Sequence, residues 1–407
     1  MKIVDVCAFY APAGGGVKTY IDRKLAYARS AGVEMVVVAP GPASGIEQRG
    51  PGARIAWLRS PRFPLDGKYH YFGEGKALHA LLDAEAPDVV EASSPWRSPS
   101  MVADWSGDAV RSLVMHADPL AAYAYRWFEG FAERPTIDRG FDRYWRHLRR
   151  LDGGFDTVIS ASHSLSRRLE AGGLRRVVTN PMGIDANVFS PALRDDSLRR
   201  RLLALCGLEP DAMLLVGVGR HAPEKRWPMV VSAVMAAQYR LPVALVLVGD
   251  GRERGRIARE IGTNPHIRML APISDRAEMA RTIASADALV HGCEAETFCM
   301  VAAEARACGV PLIAPAEGGA ADHARASGGL TFEPGSAASA AEAIVMLAGQ
   351  RSPAGRPRAA VDRTRTMEDH FSELFAHYEA LRDRRRAGVP APAFIPQPAA
   401  ISMAGVA

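Results

Sequence analysis

Two glutamates, Glu296 and Glu304, stand eight positions apart across a predicted boundary between a loop and a helix. An apolar segment ends shortly before Glu296, and strong helix formers follow from Met300 until Gly309 stops the helix. The beginning of a helix offers unpaired N–H groups and partial positive charge to an anion. Two carboxylates beside such donors suit a ligand that is both anionic and rich in hydroxyl groups, and a nucleotide sugar is both.

Two cations, Arg220 and Lys225, stand five residues apart around a turn that contains Pro223 and follows an apolar segment. Fixed cations in a dry cleft stabilise the negative charge that develops when a sugar–phosphate bond breaks. Such a pair, taken alone, is more simply explained as solvated side chains on a turn. The two glutamates downstream favour a diphosphate site instead.

A run of three glycines lies within residues 11–19, between the first predicted strand and the first predicted helix. Backbone N–H groups of glycines can approach a phosphate closely. A Walker loop is excluded because Val17 precedes Lys18, and a dinucleotide fingerprint is excluded by a threonine where a third small residue is needed. A plain turn remains the alternative to phosphate binding by Gly15 and Gly16.

The composition is that of a globular protein, with 407 residues, 48% hydrophobic and 23% charged. No apolar run reaches eighteen residues, and Asp5 interrupts the first apolar segment, so we expect neither a membrane span nor a signal peptide. The five cysteines lack metal-binding spacing, which predicts no zinc site, no disulfide framework and a cytoplasmic location. A net charge of +5 permits attraction to anionic lipids, and we expect no nucleic-acid partner.

Predicted strands and helices alternate along the whole chain, which favours an α/β fold with two Rossmann-like, doubly wound domains. We expect these domains at residues 1–180 and 191–365, because Pro, Gly and Asn cluster between them. Ligands of open α/β sheets bind beyond the carboxyl ends of the strands, so two facing domains would enclose a cleft. A helix is predicted at 366–386, and the Pro/Ala-rich residues 387–407 are expected to have no fold of their own.

These patterns resemble those of the retaining nucleotide-sugar glycosyltransferases of the GT-B fold, in the large group called family 4. The Glu-x7-Glu signature of that group is matched by Glu296, Phe298 and Glu304 and by the closing Gly-Val-Pro. Thr297 and Cys299 replace the usual glycines, so a side chain stands where the sugar would approach closely. The resemblance also implies that the terminal helix crosses back to the first domain.

The resemblance implies a role for each matched residue. Arg220 and Lys225 match the Gly-Arg-x4-Lys motif and would hold the donor diphosphate. Glu304 would bind the ribose hydroxyls, and Glu296 would bind the sugar. His116, at the end of a predicted strand, would orient the sugar near the scissile bond. The remaining expected donor contacts are Gly15, Gly16, Phe298, Cys299, Met300 and, on the loop near the nucleotide base, Ile273.

The implied reaction transfers a hexosyl group, such as mannosyl or glucosyl, from a nucleoside diphosphate sugar to a hydroxyl of a glycan or lipid-linked saccharide in envelope or exopolysaccharide synthesis. The anomeric configuration would be retained, and neither a cofactor nor a metal would be required, because Arg220 and Lys225 supply the positive charge. Two alternatives remain. One is a nucleotide-sugar epimerase of the same fold, and the other is a non-catalytic partner that binds nucleotide sugars.

Residues 121–151 are rich in aromatic residues and arginines. Arg139, Arg143, Arg146 and Arg150 are predicted near one helical face, which could attract anionic lipid at the inner face of a membrane. The simpler interpretation is a packed helix with a solvated arginine side.

Overall fold

The computed structural model describes residues 1–12, 15–64, 69–93, 97–118, 120–128, 131–185, 187–350 and 365–388. Two α/β domains are present, each with its own sheet. The expected fold class is confirmed. Residues 389–407 of the tail predicted at 387–407 lie outside the described residues, as does the glycine at position 14.

The first sheet has eight strands in the order β3-β4-β2-β1-β5-β6-β7-β8, and all neighbours are parallel except β3 and β4. Its strands are β1 (Lys2–Cys7), β2 (Glu34–Gly41), β3 (Gly45–Gly50), β4 (Ala53–Arg59), β5 (Val89–Ser93), β6 (Val110–Met115), β7 (Thr157–Ser160) and β8 (Val177–Thr179). The helices of this half are α1 (Gly16–Ser30), α2 (Gly75–Glu85), α3 (Arg97–Ala103), α4 (Tyr125–Phe128), α5 (Arg134–Gly140), α6 (Asp142–Gly154) and α7 (His163–Ala171).

The second sheet has six parallel strands in the order β11-β10-β9-β12-β13-β14. They are β9 (Met213–Val218), β10 (Val243–Val248), β11 (Ile267–Leu270), β12 (Ala288–Val290), β13 (Leu312–Pro315) and β14 (Leu330–Phe332). The helices are α8 (Asp196–Leu205), α9 (Trp227–Gln238), α10 (Arg254–Ile261), α11 (Arg276–Ala284), α12 (Met300–Ala307), α13 (Gly319–Ala326), α14 (Ala337–Gly349) and α15 (Met367–Arg386).

Each sheet has one point where the strand order reverses. The reversal lies between β1 and β5 in the first sheet and between β9 and β12 in the second. Loops that leave neighbouring strands in opposite directions open a crevice at such a point, and ligands of open α/β sheets bind there. The residues that follow these four strands are therefore the first place to look for a site.

The apolar core explains why the central strands are nearly continuous hydrophobic runs. All six residues of β10 are buried, because helices cover both faces of a parallel sheet. Helix α15 packs against the first sheet, as the sequence predicted. Its buried apolar face consists of Met367, Phe371, Leu374, Phe375 and Tyr378. A capping box formed by Thr366 and Asp369 fixes where this helix begins.

The basic-aromatic segment differs from its prediction. Helix α5 ends at Gly140 and α6 begins at Asp142, so Arg139 lies on a different helix from the three other arginines. The prediction that all four lie near one helical face is wrong for this reason. Trp145 and Leu148 of α6 are buried in the core, whereas Phe131 is 90% exposed. Within the described ranges, no helix has the length and apolar character needed to cross a membrane.

Candidate active site

The loops that follow β9 and β12 lie side by side, because these two strands are hydrogen-bonded neighbours. The first loop carries Arg220 and Lys225, and the second carries Glu296. The loop after β9 packs against the turn that follows β10. A Cβ at Gly249 would lie 2.0 Å from the carbonyl oxygen of Gly219, and φ is +153° at Gly249, so only glycine fits there.

Lys225 and Glu296 form an ion pair between the two loops. Their side chains are 15% and 26% exposed, so the pair is largely withdrawn from water. Burial alone would lower the pKa of Lys225, but the adjacent Glu296 raises it above its ordinary value. Burial alone would raise the pKa of Glu296, and Lys225 holds it below its ordinary value instead. Both groups are therefore charged at neutral pH.

Arg220 and Lys225 have different environments although they share one loop. The Arg220 side chain is 78% exposed, and its guanidinium lies 3.3 Å from Glu224 Oε1. An exposed pair of this kind contributes little to stability, so the guanidinium can exchange its partner for a ligand at low cost. The structure thus brings Lys225 and Glu296 together and leaves Arg220 at the solvent edge of the same crevice.

His291 lies directly beneath the ion pair and was not predicted. Its Nε2 lies 3.7 Å from Glu296 Oε1 and 3.7 Å from Cys299 Sγ. Burial, with a further contribution from Lys225, lowers the pKa of His291 to about 4, so the ring is neutral. A histidine directly after a buried strand at a reversal of strand order is the sequence signal that would have identified it.

A second unpredicted ion pair fixes the Glu296 loop. The Arg226 guanidinium holds Glu294 through both carboxylate oxygens, with Nε 2.9 Å from Oε2 and Nη2 2.5 Å from Oε1. Arg226 has φ of +50°, a left-handed conformation that places its side chain under the neighbouring loop. Bidentate geometry makes this the more rigid of the two ion pairs that join these loops.

Two glycines at the beginning of α13 hold the backbone of Glu296. The Gly319 N–H donates to the Glu296 carbonyl at 2.7 Å. A Cβ at Gly318 would lie 2.4 Å from the Glu294 carbonyl oxygen, and φ is +78° there. A Cβ at Gly319 would lie 2.6 Å from the backbone of Phe298, so both positions require glycine. The Gly318 N–H donates to Ser164 Oγ of α7 at 3.0 Å, so it also joins the two domains.

Phe298, Cys299 and Met300 form the junction between this loop and α12. Cys299 has φ of +69°, which suits the glycine that usually stands there, and its thiol points inward to His291. Phe298 is buried with its ring edge-on to His323 at 4.8 Å. Because both side chains point inward, any ligand on the outer side of this junction meets backbone first, with the half-buried Met300 beside it.

Glu304 lies in α12, as predicted, and forms an ion pair with Arg276 at 3.0 Å. Burial raises the pKa of Glu304, and Arg276 offsets part of that rise. Arg276 also contacts Asp185 at 2.7 Å, and Asp185 contacts Arg23 of α1 at 2.7 Å. This chain of charges connects Glu304 to the segment between the domains. Ile273 is half-buried on the loop between β11 and α11.

His116 approaches the Glu296 loop from the first domain. Its backbone carbonyl accepts a hydrogen bond of 3.1 Å from Thr297 Oγ1 across the domain boundary. Burial lowers the pKa of His116 to about 4, so its imidazole is neutral. Nε2 is buried and has no hydrogen-bond partner among the described residues. Gly15 and Gly16, at the beginning of α1, face open space, since a Cβ at either would meet nothing within 4 Å.

A cleft of about 700 Å³ lies between the domains at this point. Arg139, Arg149 and Arg167 line it from the first domain. Glu294, Glu296 and Thr297 line it from the second. A cavity of this volume accommodates a ligand the size of a sugar with its attached groups. Because Glu296 lines the cleft, a ligand that enters the cleft can reach the Lys225–Glu296 ion pair.

Comparison with known proteins shows the family of this chain. The family model described as "Glycosyltransferase Family 4" matches residues 14–188, and the one described as "Glycosyl transferases group 1" matches residues 207–354. A GDP-mannose-dependent alpha-mannosyltransferase of Mycolicibacterium smegmatis is 31% identical over 391 residues, which cover 95% of this chain and 99% of the relative. One of the same description from Mycobacterium tuberculosis is 31% identical over 406 residues, covering 95% and 98%.

Solved structures show the same fold at low identity. Sucrose-phosphate synthase from Thermosynechococcus elongatus superimposes with a TM-score of 0.65 at 19% identity, over 95% of this chain and 98% of the other. A glycosyltransferase from Rickettsia africae gives 0.63 at 14% identity, over 93% and 98%. The protein is therefore a nucleotide-sugar glycosyltransferase with the GT-B fold. Its chain belongs to the family 4 type, as the sequence motifs predicted.

Proposed function

We propose that the protein transfers a mannosyl group from GDP-mannose to a hydroxyl of a glycan or lipid-linked acceptor, with retention at the anomeric carbon. Residues 1–180 would bind the acceptor and residues 191–365 the donor. The choice of GDP-mannose rests on the relatives described as GDP-mannose-dependent, which this chain matches along almost its whole length. The choice of a lipid-linked acceptor is supported by a phosphatidylinositol dimannoside mannosyltransferase of Mycobacterium tuberculosis, 27% identical over 314 residues.

One observation carries the proposal. Lys225 and Glu296 are paired at the reversal of strand order in the second sheet, and the loop of Glu296 is hydrogen-bonded to the backbone of His116. A donor in this crevice would place its diphosphate against Lys225 and its sugar between Glu296 and His116. The reacting bond would then face the cleft between the domains, where an acceptor can enter.

The chemistry assigned to these groups is electrostatic. The diphosphate gains negative charge as the sugar leaves, and Lys225 stabilises that charge without reorganisation because its position is fixed by Glu296. Arg220 supplies a second, more mobile cation. Glu296 and Glu304 already hold cationic partners, so we assign them to binding and not to nucleophilic attack. A departing phosphate oxygen would accept the acceptor's proton, and chelators should leave turnover unchanged.

GDP and GMP, compared by calorimetry with UDP and ADP, test the donor. Wild type should bind GDP more tightly than UDP or ADP, and the β-phosphate should make GDP bind more tightly than GMP. The Lys225→Met variant should lose the preference for GDP over GMP while it keeps the preference for guanine. Equal binding of all diphosphates would remove GDP-mannose from the proposal. Product NMR with GDP-mannose then reports the anomeric configuration, and inversion would overturn the retaining mechanism.

We also propose that the face around Phe131 contacts anionic membrane lipid. Phe131 and Trp127 are 90% and 59% exposed, and Phe128 of the same segment contacts Phe141, the residue before α6, with ring centroids 6.3 Å apart. Exposed aromatic residues beside cations are typical of a membrane-surface contact. The Phe131→Ser variant should lose binding to phosphatidylglycerol vesicles, whereas Tyr239→Ser, at a 93% exposed aromatic of the second domain, should not. Unchanged sedimentation of Phe131→Ser with the vesicles would refute this contact.

A further inference from the structure

The donor crevice contains three side chains of metal-ligating type that the proposed reaction does not use together. His291 Nε2, Glu296 Oε1 and Cys299 Sγ all lie within 4.8 Å of one another. His291 and Cys299 are buried, and Glu296 is reached from the cleft. The family resemblance places a glycine where Cys299 stands, so this thiol is a feature of the chain and not of the motif.

The distances within this group match those of a tetrahedral metal site. Zinc bonds of about 2.3 Å to sulfur and 2.0–2.1 Å to nitrogen put the two ligand atoms about 3.5 Å apart, and a nitrogen and an oxygen ligand about 3.4 Å apart. The observed separations are 3.7 Å from His291 Nε2 to Cys299 Sγ and 3.7 Å from His291 Nε2 to Glu296 Oε1. These two pairs need shifts of only a few tenths of an ångström. Glu296 Oε1 and Cys299 Sγ lie within 4.8 Å of one another and would have to come to about 3.6 Å.

The hydrogen bonding of His291 leaves the correct nitrogen available. Its Nδ1 has no partner among the described residues, and its Nε2 faces the Cys299 thiol. In the tautomer that carries the ring proton on Nδ1, the S–H group donates in this contact and Nε2 presents a lone pair toward the sulfur. A thiophilic cation can take the place of that shared proton. The thiol proton passes to solvent as the metal–sulfur bond forms, and the nitrogen and carboxylate bind as they are.

Lys225 opposes such binding. Its ammonium already occupies Glu296 Oε1, so a cation must displace it before the carboxylate can become a ligand. The displaced Lys225 would no longer be fixed for a donor diphosphate. Metal binding and donor binding are therefore expected to compete for the same side chains.

We propose that His291, Glu296 and Cys299 form a binding site for a thiophilic divalent cation, such as Zn²⁺ or Cd²⁺, and that its occupation inhibits the enzyme. The three protein ligands leave a fourth position open to water. The binding part of this inference stands on the geometry alone. The inhibition part rests on the proposed function, because it requires that Lys225 and Glu296 hold the donor.

Cadmium titration of the full chain tests the binding part without any substrate. One Cd²⁺ per chain should produce the ultraviolet charge-transfer absorption of a cadmium–thiolate bond. Cys299→Gly should abolish it while the fold is kept, because Cys299 already has the left-handed conformation that glycine favours. Cys308→Ala is the matched control, since Cys308 is also buried but its sulfur contacts the Ala280 carbonyl, and it should keep the absorption.

Two further variants separate a metal site from a general effect on folding. His291→Gln should weaken Cd²⁺ binding at least tenfold, whereas His323→Gln, at a buried histidine outside the group, should not. Lys225→Met should bind Cd²⁺ at least tenfold more tightly, because the competing ammonium is gone. If Lys225 had a purely structural role, its replacement would not increase the affinity for Cd²⁺.

The outcomes for the two parts of the inference differ. Absorption that persists in Cys299→Gly, or that is absent from wild type, overturns the site. Normal cadmium absorption with no GDP-mannose turnover in metal-free buffer leaves the site standing and overturns the proposed function. Turnover that Cd²⁺ does not inhibit, although Cd²⁺ binds, overturns the competition between metal and donor. Inhibition of wild type but not of Cys299→Gly by micromolar Cd²⁺ supports all of it.

Discussion

The contribution of Lys225 to stability can be measured separately from its proposed role in catalysis, because Lys225 forms an ion pair with Glu296. Lys225→Met removes the ammonium and keeps the length of the side chain. The Glu296 carboxylate is then left largely out of water, with the neutral His291 3.7 Å away. Exposed pairs contribute about 0–1 kcal/mol, and breaking a fully buried pair costs about 3–5 kcal/mol. With side chains 15% and 26% exposed, this pair lies between these cases, so we expect a loss of about 2 kcal/mol.

The pH dependence of this loss has a defined sign. The pKa of Glu296 in the folded protein lies below the ordinary value of 4.5, so the pair stabilises the fold above that pH. This stabilisation disappears as the pH falls through the lower, folded pKa. The difference in unfolding free energy between wild type and Lys225→Met should thus be largest near pH 7 and should shrink below pH 4.5. Urea unfolding over this range measures it.

Catalysis should respond differently from stability. Removing one preorganised electrostatic partner typically lowers kcat by about 10²–10³-fold. The double variant Lys225→Met with Glu296→Gln has no buried charge left unpaired, so it should regain most of the lost stability but none of the activity. Arg240→Met, which breaks an exposed pair with Glu342, is the control and should change neither. Recovery of turnover in the double variant, or normal turnover in Lys225→Met, would refute the assignment of Lys225 to the diphosphate.

Three other perturbations test the fold around the site. Gly318→Ala should lower the unfolding free energy measured in urea by about 2 kcal/mol or more and reduce turnover, because a carbonyl oxygen lies 2.4 Å from the added Cβ. The control Gly328→Ala, where φ is +66° but the added Cβ meets open space, should lower it by only about 1 kcal/mol. Tyr378→Phe should lower the unfolding free energy by about 1–3 kcal/mol, since its hydroxyl bonds to Glu91 at 2.7 Å in the core; the exposed Tyr239→Phe serves as its control. The unfolding free energy should also fall as the pH is lowered from 6.5 to 4. Burial lowers the pKa of four histidines to about 4, so they stay neutral in the fold while the same histidines of the unfolded chain take up protons. The expected loss at pH 5.5 is roughly 1 kcal/mol per histidine. These are His116, His291, His323 and His370. Unfolding midpoints that stay constant over this interval would contradict the neutral state of these rings.

The fold was predictable because its strands are long apolar runs separated by helical segments. Three strands escaped prediction for local reasons. Strand β3 is a mostly exposed edge of sequence GIEQRG, which lacks the apolar character of a buried strand. Strands β8 and β14 have three residues each and are mostly only half-buried, so they lack the apolar run that identifies the equally short but fully buried β12. All three lie at sheet edges, so their absence did not alter the predicted positions of the loops that form the site.

The motifs predicted which loops carry the candidate site, but they did not predict how its side chains pair. Lys225 and Glu296 are 71 positions apart, and their contact depends on β9 and β12 being neighbours. The order of strands is set by the folded sheet, and the sequence around Lys225 or Glu296 does not reveal it. The same holds for the bond between Thr297 and the carbonyl of His116, which requires two domains to meet.

A buried cluster of charged residues lies next to the crevice of the first sheet, and its one lysine pairs with two carboxylates. Asp5 of β1 and Glu91 of β5 are direct register partners, so two carboxylates lie side by side with no access to water. Lys24 of α1 lies between them, 3.1 Å from Asp5 and 2.5 Å from Glu91. One cation cannot fully compensate two anions, and burial together with Glu91 raises the pKa of Asp5 to about 7. Tyr378 of the crossing helix α15 donates to Glu91, and the same carboxylate opposes the burial that lowers the pKa of His116. Helix α15 is thereby connected, through one carboxylate, to His116, whose backbone carbonyl is bonded to the loop of Glu296.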